Sequence, residues 1–107
     1  MAGSFGEMGN LLKQAQEMQK QLDQLRSQLA DQTVEGSAGG GVVRIEVTGD
    51  RKVRKVTIAD EVAQSGDREM LEDLVATAIS DGIQKAERLA EETLSRVTGG
   101  LQLPGMF

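Results

Sequence analysis

The chain of 107 residues contains no cysteine, histidine, tryptophan or tyrosine. Without cysteine there is no disulfide framework, thiol nucleophile or zinc–thiolate site. Without histidine the commonest general base and the commonest metal ligand are missing. Without tryptophan or tyrosine there is no aromatic platform on which unpaired bases stack. Phe5 and Phe107, the only aromatics, stand near opposite ends. The chain is therefore expected not to be an enzyme and to use no cofactor or metal. The carboxylates within 67–73 and 87–92 are expected to be surface charge. The glycine-rich stretch 36–41 lacks the Gly-Lys-Ser/Thr ending of a phosphate loop and leads into a strand. No small-molecule substrate is expected. No run approaches the ~20 apolar residues of a membrane span. The first six residues, Met1 to Gly6, have neither the basic nor the apolar region of a signal peptide. A cytoplasmic protein with no membrane contact is the expectation.

The length fits one domain over residues 1–107. Its core must be aliphatic, and small domains bury a small share of their surface. A second copy that covers the exposed faces would complete such a core, so a homodimer is expected.

Residues 7–31 predict a long helix. Met8, Leu11, Ala15, Met18, Leu22, Leu25 and Leu29 are spaced in alternating steps of three and four, a heptad pattern. The stripe is narrower than that of a helix lying on a globular core. The helix is expected to pack along another helix or to project, over about 37 Å. Gly3 and Gly6 suggest a flexible lead-in. Residues 33–58 change to a period of two and predict a small antiparallel sheet of about three strands. Thr33-Val34-Glu35 is the first, short strand, and residues 36–41 read as a flexible connector. Val43, Ile45 and Val47 alternate with Arg44, Glu46 and Thr48. Gly49-Asp50-Arg51 predicts a hairpin turn. Val53 to Ile58 returns, with Val56 and Ile58 toward the core. Val53 has the opposite parity, which implies a bulge or a partly apolar outer face. Residues 59–66 read as a polar turn. Asp67, or else Ser65, is a suitable N-cap for a second long helix over 67–97. Met70, Leu71, Leu74, Val75, Ala78, Ile79, Ile83, Ala86, Leu89, Ala90, Leu94 and Val97 give it a broad apolar face to cover the sheet. Gly82 within it marks a kink or a close helix contact. Gly99-Gly100 ends it, and a short apolar tail completes 98–107, docked or loose. The fold class is α+β.

Net charge is −5, unevenly placed. Residues 44–55 carry five cations, Arg44, Arg51, Lys52, Arg54 and Lys55, against Glu46 and Asp50. The rest of the chain is acidic. Local field, not total charge, decides where a polyanion docks. Lys13 and Lys20, seven apart, share a helix face, and Arg26 is expected roughly on that side. Paired across a dimer, such rows would flank a duplex. Lysine and arginine hold duplex phosphates without reading bases. No helix-turn-helix, zinc-finger or RNA-binding signature is visible.

Four segments give the chain a family likeness. They are Met8–Gln19, Val34–Val43 followed by a strand ending in Thr48-Gly49, Met70–Ala78, and Gly-Gly-Leu-Gln-Leu-Pro-Gly at 99–105. In order and spacing the chain resembles the YbaB/EbfC family of bacterial nucleoid-associated proteins. Where that family usually has Asn-Asp-Ala in the second helix, this chain has Ser80-Asp81-Gly82. The resemblance implies an α-β-α homodimer with projecting helices. It also implies double-stranded DNA as partner with loose sequence preference, a place in the nucleoid, and an influence on DNA conformation and gene expression. The eight cations Lys13, Lys20, Arg26, Arg44, Arg51, Lys52, Arg54 and Lys55 are the DNA-contact candidates. A second expectation is an adaptor that grips recombination or replication proteins through its apolar stripe and acidic second helix without touching DNA.

Overall fold

The computed structural model describes residues 2–97, with side chains from 6 to 96. Helix α1 (Ala2–Asp31) leads into strands β1 (Thr33–Ala38), β2 (Val43–Thr48) and β3 (Val53–Ile58). A one-turn helix α2 (Asp60–Ala63) and helix α3 (Arg68–Val97) follow. The sheet is antiparallel, in the order β1-β2-β3. The expected helix stop at Gly99-Gly100 and the tail 98–107 lie outside the described residues.

Alternation puts Val43, Ile45 and Val47 on one face of β2, where all three are fully buried. Helix α3 covers that face over β1 and β2, adding Ala78 and Ala86 to the core. Each of the three β2 side chains contributes about 2 kcal/mol by leaving water. Asp67 caps α3: its carboxylate accepts the Met70 N–H at 3.0 Å.

Two glycines set how closely α3 lies on the sheet. A Cβ on Gly36 would stand 2.2 Å from the Ala78 carbonyl oxygen and 2.3 Å from the Gly82 nitrogen. A Cβ on Gly82 would stand 2.7 Å from a Val47 methyl. Gly82 therefore marks a close approach to the sheet. Two side chains of α3 then cover the outer edge of β1. The Asp81 carboxylate accepts the Ser37 N–H at 3.0 Å, and the Lys85 ammonium donates to the Glu35 carbonyl at 3.0 Å. The two side chains pair with each other at 3.1 Å. A sheet edge that would otherwise be open to another chain is capped.

Helix α1 ends against the β2–β3 turn. The Gly49 N–H donates to the carbonyls of Leu29 and Gln32, both at 2.9 Å, satisfying groups that a helix end leaves open. Leu25 and Leu29 are buried there. Helix α3 passes this turn near Glu87 and continues outward past Ala90 and Leu94, so α1 runs back alongside it. Beyond this shared stretch α1 continues as an arm, in a molecule of 76 × 21 × 20 Å.

Four expectations are corrected. Helix α1 begins at Ala2, with Gly3 and Gly6 inside it. Extending an existing helix needs no new nucleus, which offsets the ~1 kcal/mol penalty of each glycine. The connector is shorter than 36–41, because Gly36, Ser37 and Ala38 pair with Ile45, Arg44 and Val43. Only Gly39, Gly40 and Gly41, all at positive φ, remain to make the turn with Val42. Residues 60–63 are helical, anchored by buried Val62. Val56 is 47% exposed. A register shift at Glu46/Val47 brings Val53 opposite Val47 and Val56 opposite Ile45, all on the α3 side. One helix centred over β1 and β2 does not reach them.

Gly36→Ala is expected to destabilise the fold by about 3 kcal/mol, the upper end of overpacking penalties, because backbone must move. Gly9→Ala, with nothing within 4 Å of the added Cβ, is expected to stabilise by up to about 1 kcal/mol. Urea unfolding of the two variants checks both signs. The hydrogen bond from Ser37, then that from Lys85, hold the Asp81 carboxyl below its usual 3.8. A depressed carboxyl stabilises the folded state above the ordinary value, and this contribution fades as pH falls through the folded value. Asp81→Asn should be less stable than the parent at pH 7, with the gap closing below about pH 3.8. Unfolding midpoints across that range measure it.

Candidate nucleic-acid interface

Strand alternation sends Arg44 and Lys55 to the sheet face opposite α3, together with Glu35, Ser37, Glu46 and Thr57. Arg54 stands at the register shift, exposed. Arg51 sits in the β2–β3 turn at φ 67, the left-handed region that bulky side chains rarely adopt. That turn is held by Thr48. Its N–H donates to the Lys52 carbonyl at 2.8 Å, its carbonyl accepts from Arg51 at 2.9 Å, and its hydroxyl donates to Asp50. Lys13 and Lys20 lie on the exposed arm of α1.

Ion pairing divides the eight candidates. Arg26 meets Asp23 at 3.8 Å, Arg51 meets Glu87 at 3.9 Å and Lys52 meets Asp50 at 3.8 Å. All three pairs are largely exposed and therefore weak. Lys13, Lys20, Arg44, Arg54 and Lys55 have no carboxylate within 4 Å among the described residues. Arg44, Arg54 and Lys55 are brought together on one sheet. Lys13 and Lys20 form a second group on α1.

Arg26 does not share the face of Lys13 and Lys20. At about 100° per residue, six residues turn it some 120° away from Lys20. It lines a crevice of about 490 Å³ with Leu29, Asp50, Arg51, Glu87 and Glu91, between α1 and α3. Arg88 was not singled out by sequence and also lacks an ion-pair partner among the described residues. It stands beside Glu87, Glu91 and Glu92, where the local field is negative.

The carboxylates of α3, Glu69, Glu72, Asp73, Glu87, Glu91 and Glu92, are exposed on the helix that covers the other side of the sheet. A helix is about 10–12 Å across. Charges on its far side are thus separated from Arg44 and Lys55 by more than a Debye length, about 8 Å at physiological ionic strength. The open face carries Glu35 and Glu46 beside Arg44 and Lys55, so it is near charge balance and far less acidic than the α3 side.

Comparison with known proteins agrees with this architecture. Residues 5–101 match the model of the YbaB/EbfC DNA-binding family. A nucleoid-associated protein of Ruminiclostridium cellulolyticum is 44% identical over 106 residues, covering 98% of this chain and 92% of the relative. One from Acetivibrio thermocellus is 41% identical, covering 98% and 94%. Among solved structures, an uncharacterized protein of Helicobacter pylori superimposes with a TM-score of 0.71 at 24% identity, over 89% of this chain and 97% of the other. That similarity shows the shared fold.

Arg51→Gly should relieve the left-handed backbone and stabilise the protein by about 1 kcal/mol. Its exposed pair with Glu87 is too weak to offset this. A higher urea midpoint for the variant is the expected result.

Proposed function

Because the chain belongs to the YbaB/EbfC DNA-binding family, we propose that it is a nucleoid-associated protein that acts as a homodimer and binds double-stranded DNA through the phosphate backbone. The observation that carries this proposal is the set of five cations, Lys13, Lys20, Arg44, Arg54 and Lys55, without a carboxylate partner among the described residues. All are on surfaces exposed in the single chain. Unpaired cations keep their full charge for phosphates, and binding releases the counterions condensed on the duplex. Such contacts position DNA without reading its sequence. The family is one of DNA-binding proteins, and a side-chain set without histidine or cysteine suits a binding role better than a catalytic one. The working place is the nucleoid, within the cytoplasm. Changes in DNA conformation, and through them in gene expression, would follow from the dimer holding one duplex at several points.

Dimerisation is supported by the side of the sheet that α3 leaves open. Val53 is 49% and Val56 47% exposed on the apolar face, along an edge strand whose outer side pairs with no other strand among the described residues. A second copy placed there would cover both the side chains and the edge.

The test is duplex binding measured over a salt series. A dimer that engages about five phosphates gives a log–log slope near −4.5. Lys13→Glu combined with Lys20→Glu should weaken binding to all sequences alike and make the slope shallower. Absence of any salt-sensitive shift of any duplex at micromolar protein would defeat the proposal. A partner protein retained by the chain in a pull-down from nuclease-treated lysate would favour the adaptor role instead.

A further inference from the structure

The apolar stripe of α1 continues well past the point where α3 covers it. Leu25 and Leu29 are buried and Leu22 partly so. Farther out, Met18 is 48%, Leu11 63% and Met8 60% exposed, in the same heptad register. Leu12, 63% exposed, widens the stripe on one flank. We propose that residues 98–107 of the same chain, which follow α3, run outward along this stripe and cover it from Leu22 toward Met8.

Position and reach select that occupant. Leu29 of α1 and Ala90 of α3 line the same crevice. Leu22 and Val97 each stand seven residues beyond them on helices that run in opposite directions, about 10 Å farther out. The chain therefore leaves α3 level with Leu22, where the cover of the stripe gives out. From Leu22 to Met8 is about 21 Å along α1. Ten extended residues reach about 33 Å, so the whole exposed stripe lies within the span of 98–107. Leu103, six residues past Val97, reaches about 20 Å, enough to meet Leu11 about 16 Å out.

The composition of the segment fits the same surface. Gly99 and Gly100 are poor helix formers, and Pro104 has no N–H with which to extend a helix. Leu101 and Leu103, two apart, share one side of an extended chain, and Met106 and Phe107 add large apolar side chains farther on. Residues 98–107 carry no charged side chain, and Gln14, Gln19 and Gln21, which flank the stripe, are uncharged too. A strongly charged partner would find little to pair with there. A segment tethered within reach is also present at an effective concentration of about a millimolar, far above that of a separate partner. The contact leaves Lys13 and Lys20 uncovered, since by helical period they lie opposite the stripe. It also leaves Val53 and Val56 open, so a second copy at the β3 edge can bind without displacing it.

The absence of cysteine makes a direct test available. The full-length protein carrying Leu11→Cys and Leu103→Cys is oxidised mildly without DNA, and the products are separated on a denaturing, non-reducing gel. A disulfide within one chain should form at least tenfold faster than in the protein carrying Lys13→Cys and Leu103→Cys, whose first thiol lies on the opposite helix face. Adding Leu101→Asp and Met106→Asp should bring the fast rate down to that of this control, with helix content by circular dichroism unchanged. Equal rates for the two double-cysteine proteins would overturn the proposal. So would a product made mainly of two linked chains, because the stripe would then meet another copy. A fast reaction that survives both aspartates would count against it as well, since apolar contact would not be its cause. DNA binding is not read in this experiment, so its outcome is independent of the function proposed above.

Discussion

The close crossing of Gly36 on β1 and Gly82 on α3 fixes the position of α3 on the sheet. Side chains at either point would push the two layers apart, so the crossing occurs there and at no larger pair. Once α3 is held over β1, Asp81 and Lys85 reach the β1 edge and cap its open backbone groups. The same placement leaves the far strand uncovered. Val53 and Val56 have the right orientation to be core residues, yet both stay about half exposed among the described residues. One edge of the sheet is closed and the other left open by a single packing decision. The open edge is where a second copy has the most to cover.

This asymmetry also organises charge. The exposed carboxylates of α3 lie on the side of the sheet that the helix occupies, while the strands send Arg44 and Lys55, with Glu35 and Glu46, to the other side. Net charge sums over both sides and conceals the difference. At physiological ionic strength, fields decay within roughly the thickness of one structural layer. A phosphate near the sheet would respond to Arg44, Arg54 and Lys55, and to Glu35 and Glu46, far more than to Glu69 or Glu91.

Elements with a local cause are legible in the sequence. The alternation of Val43, Ile45 and Val47, the cap at Asp67 and the broad apolar face of α3 depend on neighbours within a few residues, and the structure contains them all. Where the cause is distant, the sequence is silent. Gly36 has no side chain to show a period, and its place in β1 depends on Gly82 far along the chain. Val56 has the parity of a core residue, but its exposure depends on how much of the sheet one helix can span. Val62 makes a turn of helix from a polar segment because it finds a buried site. Among the cations, residue type and exposure were readable, but the partners of Arg51 and Lys52 were not, since they arise from the turn and from α3. The separation of Arg26 from Lys13 and Lys20 needs only the helical period: six residues fall about a third of a turn short of two turns.

The opposition of lysines and apolar stripe on α1 constrains any assembly built from this chain. One helix face cannot both contact phosphate and exclude water. If the stripe meets another helix, Lys13 and Lys20 must face away from that contact, toward whatever lies outside it. If the lysines were instead to face a duplex held between two arms, the stripes would turn outward and leave Met8, Leu11 and Met18 in water on both copies unless another segment covers them. Burying apolar side chains is favourable by about 25 cal/mol per Å², and phosphate contacts are favourable only where the helix is free to present its cations. Any assembly must therefore give the two faces of α1 different neighbours.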